Sequence, residues 1–348
     1  GNPYASAIDA DRFLQLPANA ALMNGTIYFW THNTPITSLA YNFSDYAVYT
    51  LLGGTGTMAA PNVGVNNTIP NGKIASGQGF FVVGKATGAA TFNNSMRLTG
   101  MNTTFFKPAK ETLVAPEENA AGLEKHRIWL DMSSSQGLFK QALVGYAQGA
   151  TNQQDEMFDG PMPNGGNALS FYSLIDSATT PFAIQARVLP FATEDTVRLG
   201  YSTSVVGNLS VSLEGFDGLF DNQPIFLEDK VLNVLHNLKN GPYAFSTLAG
   251  TFNDRFELRY TDQLLSTPDH ELSNSLVIAV DNRAVKLKSS GENIAAVTIY
   301  DLLGRIVYDR SGISTTDFTI ENIISSQQSL IVKATLDDGT IVTRKILY

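Results

Sequence analysis

The last twenty residues, "SLIVKATLDDGTIVTRKILY" (329–348), decide how this chain is read. Two runs of β-branched and apolar residues, 330–336 and 341–347, alternate with polar ones on either side of Asp337-Asp338-Gly339. A period of two puts every second side chain on one face of a strand. The Asp-Asp-Gly step supplies a glycine that can take positive φ in a tight reversal. The pattern predicts a β-hairpin with one buried face. A little upstream, "VTIYDLLGRIVYDR" (297–310) repeats the design around Asp301–Gly304.

Working back to Leu276 gives seven strand-like runs in 73 residues: "LVIAVDN", "AVKLKSS", "AVTIYDL", "RIVYDR", "DFTIENI", "SLIVKATL" and "TIVTRKIL". None has a helical period. Residues 276–348 are therefore expected to form a small, immunoglobulin-like β-sandwich. The preceding segment, 263–275, is polar, contains Pro268 and lacks periodicity, and reads as a linker.

The same alternation continues toward the N-terminus. Residues 108–262 open with a charged passage, "KPAKETLVAPEENAAGLEKHR" (107–127). Eight runs follow: "RIWLDM", "LFKQALVGYA", "FAIQARVL", "TVRLGYST", "NLSVSLEGF", "PIFLEDKVL", "GPYAFST" and "DRFELRYT". Short strands with turns at regular spacing predict a jelly-roll-like β-sandwich. Residues 1–107 form a further β-rich block, with strands expected in "GTIYFWTH", "DYAVYTLL", "GQGFFVVGK" and "GAATFNNSMR". One short helix is expected over 7–16, with Asp9 as its cap. "GNPY" at the start reads as a turn joining a strand whose first half lies upstream, so a larger parent protein is expected. The expected fold is thus all-β: tandem β-sandwich modules at 1–107 and 108–262, a linker, and a terminal sandwich.

Composition narrows the function classes. The net charge is −9, and residues 1–274 carry it all, because the tail from Ser275 has eight basic and eight acidic residues. No basic stripe suits nucleic acid. No apolar run approaches the 18 or so residues of a spanning helix. With no cysteine there is no disulfide, thiolate metal site or cysteine nucleophile.

Chemical motifs are scarce. His32, His126, His236 and His270 are far apart and show no metal-binding spacing. There is no Gly-x-Ser-x-Gly elbow and no phosphate-binding loop; "GGTGT" (53–57) reads as a Gly-rich loop without the lysine and helix that phosphate binding needs. Two acidic loops have some content: "QQDEMFDG" with Asp155 and Asp159, and "EGFDGLFDN" with Asp217 and Asp221. Oxygen-rich loops can hold Ca²⁺. A pair of carboxylates across a cleft can also serve a glycosidase. Against both stands a plain reading, that Asp-Gly turns form for backbone reasons. No cofactor is expected. Aromatics such as Tyr28, Phe29, Trp30, Phe80, Phe81 and Trp129 are expected mostly in cores, although exposed ones could stack on glycans.

The end of the chain resembles the sorting domain of type IX secretion substrates of Bacteroidetes, and in detail the variant called the type C sorting signal. The Tyr-Asp-x-x-Gly-Arg turn, the "LIVK" strand, the Asp-Gly hairpin and the final "TRKI" strand come in the family's order. The commoner type A pattern has Gly-[Ile/Val]-Tyr before the Val-Lys strand, and "SSQQSLIVK" (325–333) lacks it. The front, through "GNPYASAIDADRF", "SGQGFFV" and "TFNNSMR", resembles modules of large flavobacterial surface proteins.

The resemblance implies a secreted or cell-surface protein without enzymatic activity of its own. Its partners would be the type IX outer-membrane translocon and that system's β-barrel shuttle protein. The residues it marks for translocon recognition are Tyr300, Asp301, Gly304, Arg305, Lys333, Asp338, Gly339, Arg344 and Lys345. The upstream modules would be spacers, or adhesive parts that touch glycans. Two rival expectations are a polysaccharide-active hydrolase and a gliding-motility adhesin.

Overall fold

The computed structural model describes residues 1–31, 33, 42–57, 69–99, 122–163, 167–262, 276–281, 284–289, 291–301, 305–321, 323 and 329–347. The expected linker at 263–275 and the boundary at 107/108 lie outside them. The chain divides into two compact units, Gly1–Asp262 and Gln263–Tyr348.

The first unit is built on one large eleven-stranded sheet. Its central strands include Lys125–Ser134 and Phe139–Ala147, which pair through nine consecutive residues. Tyr243–Thr247 closes one end of the order and Val234–Asn237 the other. Phe245 near one end nevertheless packs edge-on against Phe256 of Gly250–Arg259 near the other, with ring centroids 4.8 Å apart. The sheet must therefore curl until its two halves face each other, as in the expected jelly-roll-like sandwich. The alternating positions Ile128, Leu130, Met132 and Ala142, Val144, Tyr146 fill the space between the halves.

A four-stranded sheet carries the front of the unit: Gly53–Thr55, Tyr46–Thr50, Met23–Trp30 and Phe81–Gly84, in that order. Alternation gives it two apolar faces. Ile27, Phe29 and Tyr49 pack under Phe13 and Leu14 of the helix Ala10–Gln15. Tyr28 and Val48 pack on the outside of the large sheet, against Leu143, Ile184 and Ala186. The blocks read as 1–107 and 108–262 thus share a core within one unit.

Several local expectations need correction. The helix starts at Ala10, one residue after its cap, and Asp9 accepts the Arg12 N–H at 3.1 Å. "GAATFNNSMR" is not a strand: Asn93 caps a short 3-10 turn over Asn94–Met96, because its side chain accepts from Ser95 N. "GGTGT" is no free loop; its first three residues are a strand. At Gly54 any side chain would strike the Pro70 carbonyl, since a Cβ would lie 2.4 Å from that oxygen.

The second unit is a seven-stranded, two-sheet sandwich of immunoglobulin-like layout. Leu276–Asp281, Ala284–Ser289 and Asp317–Ile320 form one sheet. Ile306–Thr315, Ile294–Asp301, Ser329–Leu336 and Ile341–Leu347 form the other, in that order. Its own core contains Leu287, Val297, Ile299, Leu330, Val332 and Val342.

Candidate recognition surface

The terminal hairpin forms as its sequence predicts. Gly339 takes φ +87°, and its N–H donates to the Leu336 carbonyl at 3.0 Å. Asp338 accepts from Thr340 N at 2.8 Å and holds the turn. Ile341–Leu347 then pairs with Ser329–Leu336 through seven consecutive residues without a register shift.

That hairpin leaves the last strand at the edge of its sheet. The opposite edge, Ile306–Thr315, is of another kind. It carries positive φ at Gly312 and at Ser314, and its pairing with Ile294–Asp301 shifts register twice. Bulges of this sort twist an edge away from further pairing. The terminal strand carries no bulge or register shift among the described residues. It lies beside Leu276–Asp281 of the other sheet but shares no ladder with it among the described residues. Along it, Val342 and Ile346 are buried, while Ile341, Thr343 and Arg344 are exposed.

The residues marked by the family resemblance do not form one cluster. Lys333 is exposed and sits opposite Thr343 on the terminal strand and Thr298 on the other side. Tyr300 is half-buried and lies opposite Ile331. Asp301 and Arg305 bind each other: Arg305 donates its backbone N–H at 3.0 Å and its Nε at 2.7 Å to the Asp301 carboxylate. Asp301 pairs with Leu330 at the start of its strand, whereas Asp338 and Gly339 follow Leu336 at the other end. Six residues of strand, about 20 Å, separate the two turns. Gly304 and the side chain of Lys345 lie outside the described residues.

The acidic loops of the first unit are occupied by the protein itself. Asp217 accepts the Arg127 N–H at 2.8 Å and its guanidinium at 2.9 and 2.5 Å. Asp155 accepts Thr151 N at 2.6 Å. Asp159 is buried and accepts the N–H groups of Asp155 and Ala186 at 2.6 and 2.7 Å. Burial pushes the Asp159 carboxyl up to about 7, although those two backbone donors pull the other way. Asp221 is exposed. Among the described residues, no three His, Asp or Glu side chains converge to hold a metal.

Two of the surface depressions formed by the described residues are open to a small ligand. A polar groove of about 350 Å³ is lined by Asp176, Arg187, Asp195, Thr196, Arg198 and Glu257. Its Asp195 is bound by the Arg187 guanidinium and by Tyr146 Oη at 2.7 Å, and its Asp176 by Arg198 at 2.7 Å. Both aspartates are thus ion-paired with arginine. A shallower cleft of about 540 Å³ lies over Leu189, Phe191 and Leu219, with His126 at its rim. His126 accepts Leu219 N at Nδ1 and faces Glu124 with Nε2 at 3.1 Å. His236 bonds the Gly241 carbonyl at 2.8 Å. His32 and His270 lie outside the described residues. Tyr28 and Phe29 are core residues, but Phe81 is 58% exposed beside Tyr46 and Phe43, a small aromatic cluster at the edge of the front sheet.

Sequence reasoning missed the most heavily bonded polar site. Asp229 and Arg255, on neighbouring strands, meet Tyr243 from the opposite end of the sheet order inside the curled sheet. No spacing in the sequence signals that meeting.

Comparison with known proteins adds families without assigned roles. The family model described as Domain of unknown function (DUF8693) matches residues 1–260, and that described as Domain of unknown function (DUF8694) matches residues 265–348. No curated protein matches. Among solved structures, the chain is similar to a DUF3244 family protein with an immunoglobulin-like β-sandwich fold from Bacteroides vulgatus. That likeness has 17% identity, covers 21% of this chain and 83% of that one, and has a TM-score of 0.19. It is also similar to Tp47, the 47-kilodalton lipoprotein of Treponema pallidum, with 8% identity, 65% and 87% coverage and a TM-score of 0.19.

Proposed function

The chain belongs to the family described as Domain of unknown function (DUF8693), whose description assigns no activity, and we propose that its terminal sandwich is an export address. In this reading the second unit is grasped by the type IX outer-membrane translocon and passed to its β-barrel shuttle. The protein is then secreted or held at the cell surface. The single observation that carries the mechanism is the contrast between the two edges of the terminal sheet. One edge is bulged, while the last strand is regular over seven pairs.

An unbulged, regular edge suits β-augmentation, although Arg344 on it is a charge of the kind that discourages indiscriminate pairing. Main-chain hydrogen bonds from the partner supply affinity. Alternate side chains supply specificity, and here these are Thr343 and its cross-strand neighbour Lys333, with Arg344 at the rim. The first unit serves as a spacer or adhesive part. The exposed Phe43 and Phe81, with the half-buried Tyr46 between them, favour contact with glycans, because sugar rings stack on aromatic faces.

A site-specific photo-crosslinker distinguishes the two edges in secreting cells. Placed at Thr343 it is expected to capture an outer-membrane transport component. Placed at Ser311, on the bulged edge, it is expected to capture little. Equal capture from both positions contradicts the edge mechanism.

A further inference from the structure

Four of the most exposed aliphatic side chains of the first unit are Val206, Leu248, Val231 and Leu232, at 66%, 68%, 68% and 57%. Singly, such residues mean nothing. Their placement gives them meaning. Val206 sits in the connection from Val197–Thr203 to Gly207–Phe216, and Leu248 in that from Tyr243–Thr247 to Gly250–Arg259. The strands entering and leaving these arches pair with each other: Thr203 with Gly250, and Gly207 with Thr247. The two arches are therefore side by side, each crossing from one half of the curled sheet to the other.

They are also built alike. Gly207 and Gly250 close them with φ of +147° and +148°, a region open to glycine. No Cβ clash forbids a side chain at Gly207, so the backbone turn itself is what glycine serves there. The hairpin holding Val231 and Leu232 points toward the same end, since Asp229 pairs with Phe256 and Lys230 N donates to the Arg255 carbonyl.

We infer that this end of the first unit inserts reversibly into the interface of a lipid surface. Three of the arches' four flanking strands are paired on both sides, so an incoming strand finds little free backbone. Residues 203–208 and 246–251 contain no charge in a chain of net charge −9. They are Ser, Thr, Asn, Gly and Ala apart from the aliphatics, and so suit the headgroup layer. The nearby hairpin's Lys230 and Asp229 are both paired within the protein: Lys230 with Glu257 at 3.1 Å, and the buried Asp229 with Arg255. An acidic protein thus presents a neutral, apolar-tipped end that anionic headgroups do not repel. This inference is independent of the export reading, which concerns the other unit.

The test is flotation of the full chain with phosphatidylcholine vesicles and with vesicles containing phosphatidylglycerol. The parent protein is expected to float with both. Val206→Ser with Leu248→Ser is expected to lower the bound fraction about tenfold. Val83→Ser, 52% exposed on the front sheet, is expected to leave it unchanged. Leu248→Trp is expected to give a blue-shifted emission on mixing with vesicles, a readout that needs no loss of binding. No flotation of the parent protein overturns the proposal. So does flotation abolished by Val83→Ser alone. A dimer in solution that the Val206/Leu248 double variant dissociates also overturns it, by assigning the arches to a second copy of the chain.

Discussion

Arg255 grips Asp229 with two nitrogens, Nε at 3.1 Å and Nη2 at 2.8 Å from Oδ2, and the carboxylate is completely buried. Tyr243 Oη adds a third bond at 3.0 Å, and the N–H groups of Val231 and Leu232 add two more. The guanidinium also lies 4.5 Å from the Phe245 ring centre and donates to the Ser246 carbonyl at 3.1 Å. Phe245, Ser246 and Tyr243 belong to the strand at the far end of the sheet order, so the pair ties the curl shut. Such a pair is costly to break from one side, because the partner is left charged and buried. Asp229→Ala or Arg255→Ala is expected to cost about 3–5 kcal/mol of the first unit's stability in urea unfolding. A loss below about 1 kcal/mol contradicts this role.

The same pair sets an acid limit. Burial raises the Asp229 carboxyl, but its bonds to Arg255, Leu232 N and Tyr243 outweigh burial and leave it below its usual 3.8. A depressed carboxyl contributes stability above its unfolded value and loses it as pH falls through the folded one. The difference in stability between the parent and Asp229→Asn should therefore shrink as pH drops below about 4. A difference that persists unchanged into strong acid argues against the ion pair.

Asp131 behaves in the opposite sense. Burial pushes it up to about 7, helped by Glu214 and opposed by the bond from Gln141. A folded state that holds its proton more tightly than the unfolded chain loses stability as pH rises from about 4 to about 7. Asp131→Asn keeps the acceptor for Gln141 and removes the charge. It is expected to match the parent near pH 4 and to exceed it by on the order of 1–3 kcal/mol at pH 8. Parallel stability curves for the two proteins contradict the assignment.

The terminal unit has a core of its own, so residues 263–348 are expected to unfold cooperatively when expressed alone. Val332→Ala, at a fully buried position, is expected to cost about 1–3 kcal/mol in that fragment. A fragment without a cooperative transition removes the independent domain on which the export reading stands.

Much of this architecture was legible because strand alternation writes burial directly into sequence. All seven runs of the terminal domain form strands, most of them with alternating core and wet positions; the edge strand Ile306–Thr315 has no fully buried residue. Leu169–Ser173 escaped because it is buried on both faces, which erases the period of two. "GAATFNNSMR" misled because its Asn93 prefers to cap a turn. The edge contrast was half legible. Asp-Asp-Gly announced the hairpin, but no local signal places its second strand at the end of the sheet. The link from Asp229 and Arg255, on neighbouring strands, to Tyr243 and Ser246 was illegible, because only the curl of the sheet brings that end strand to them.

The central claim is most directly tested by export itself. Residues 276–348 fused behind a periplasm-directed fluorescent protein should carry it outside a bacterium with an intact type IX system. The same fusion should stay in the periplasm of a strain lacking that system. Retention in both strains, or equal release from both, contradicts the assignment of the terminal sandwich as an address.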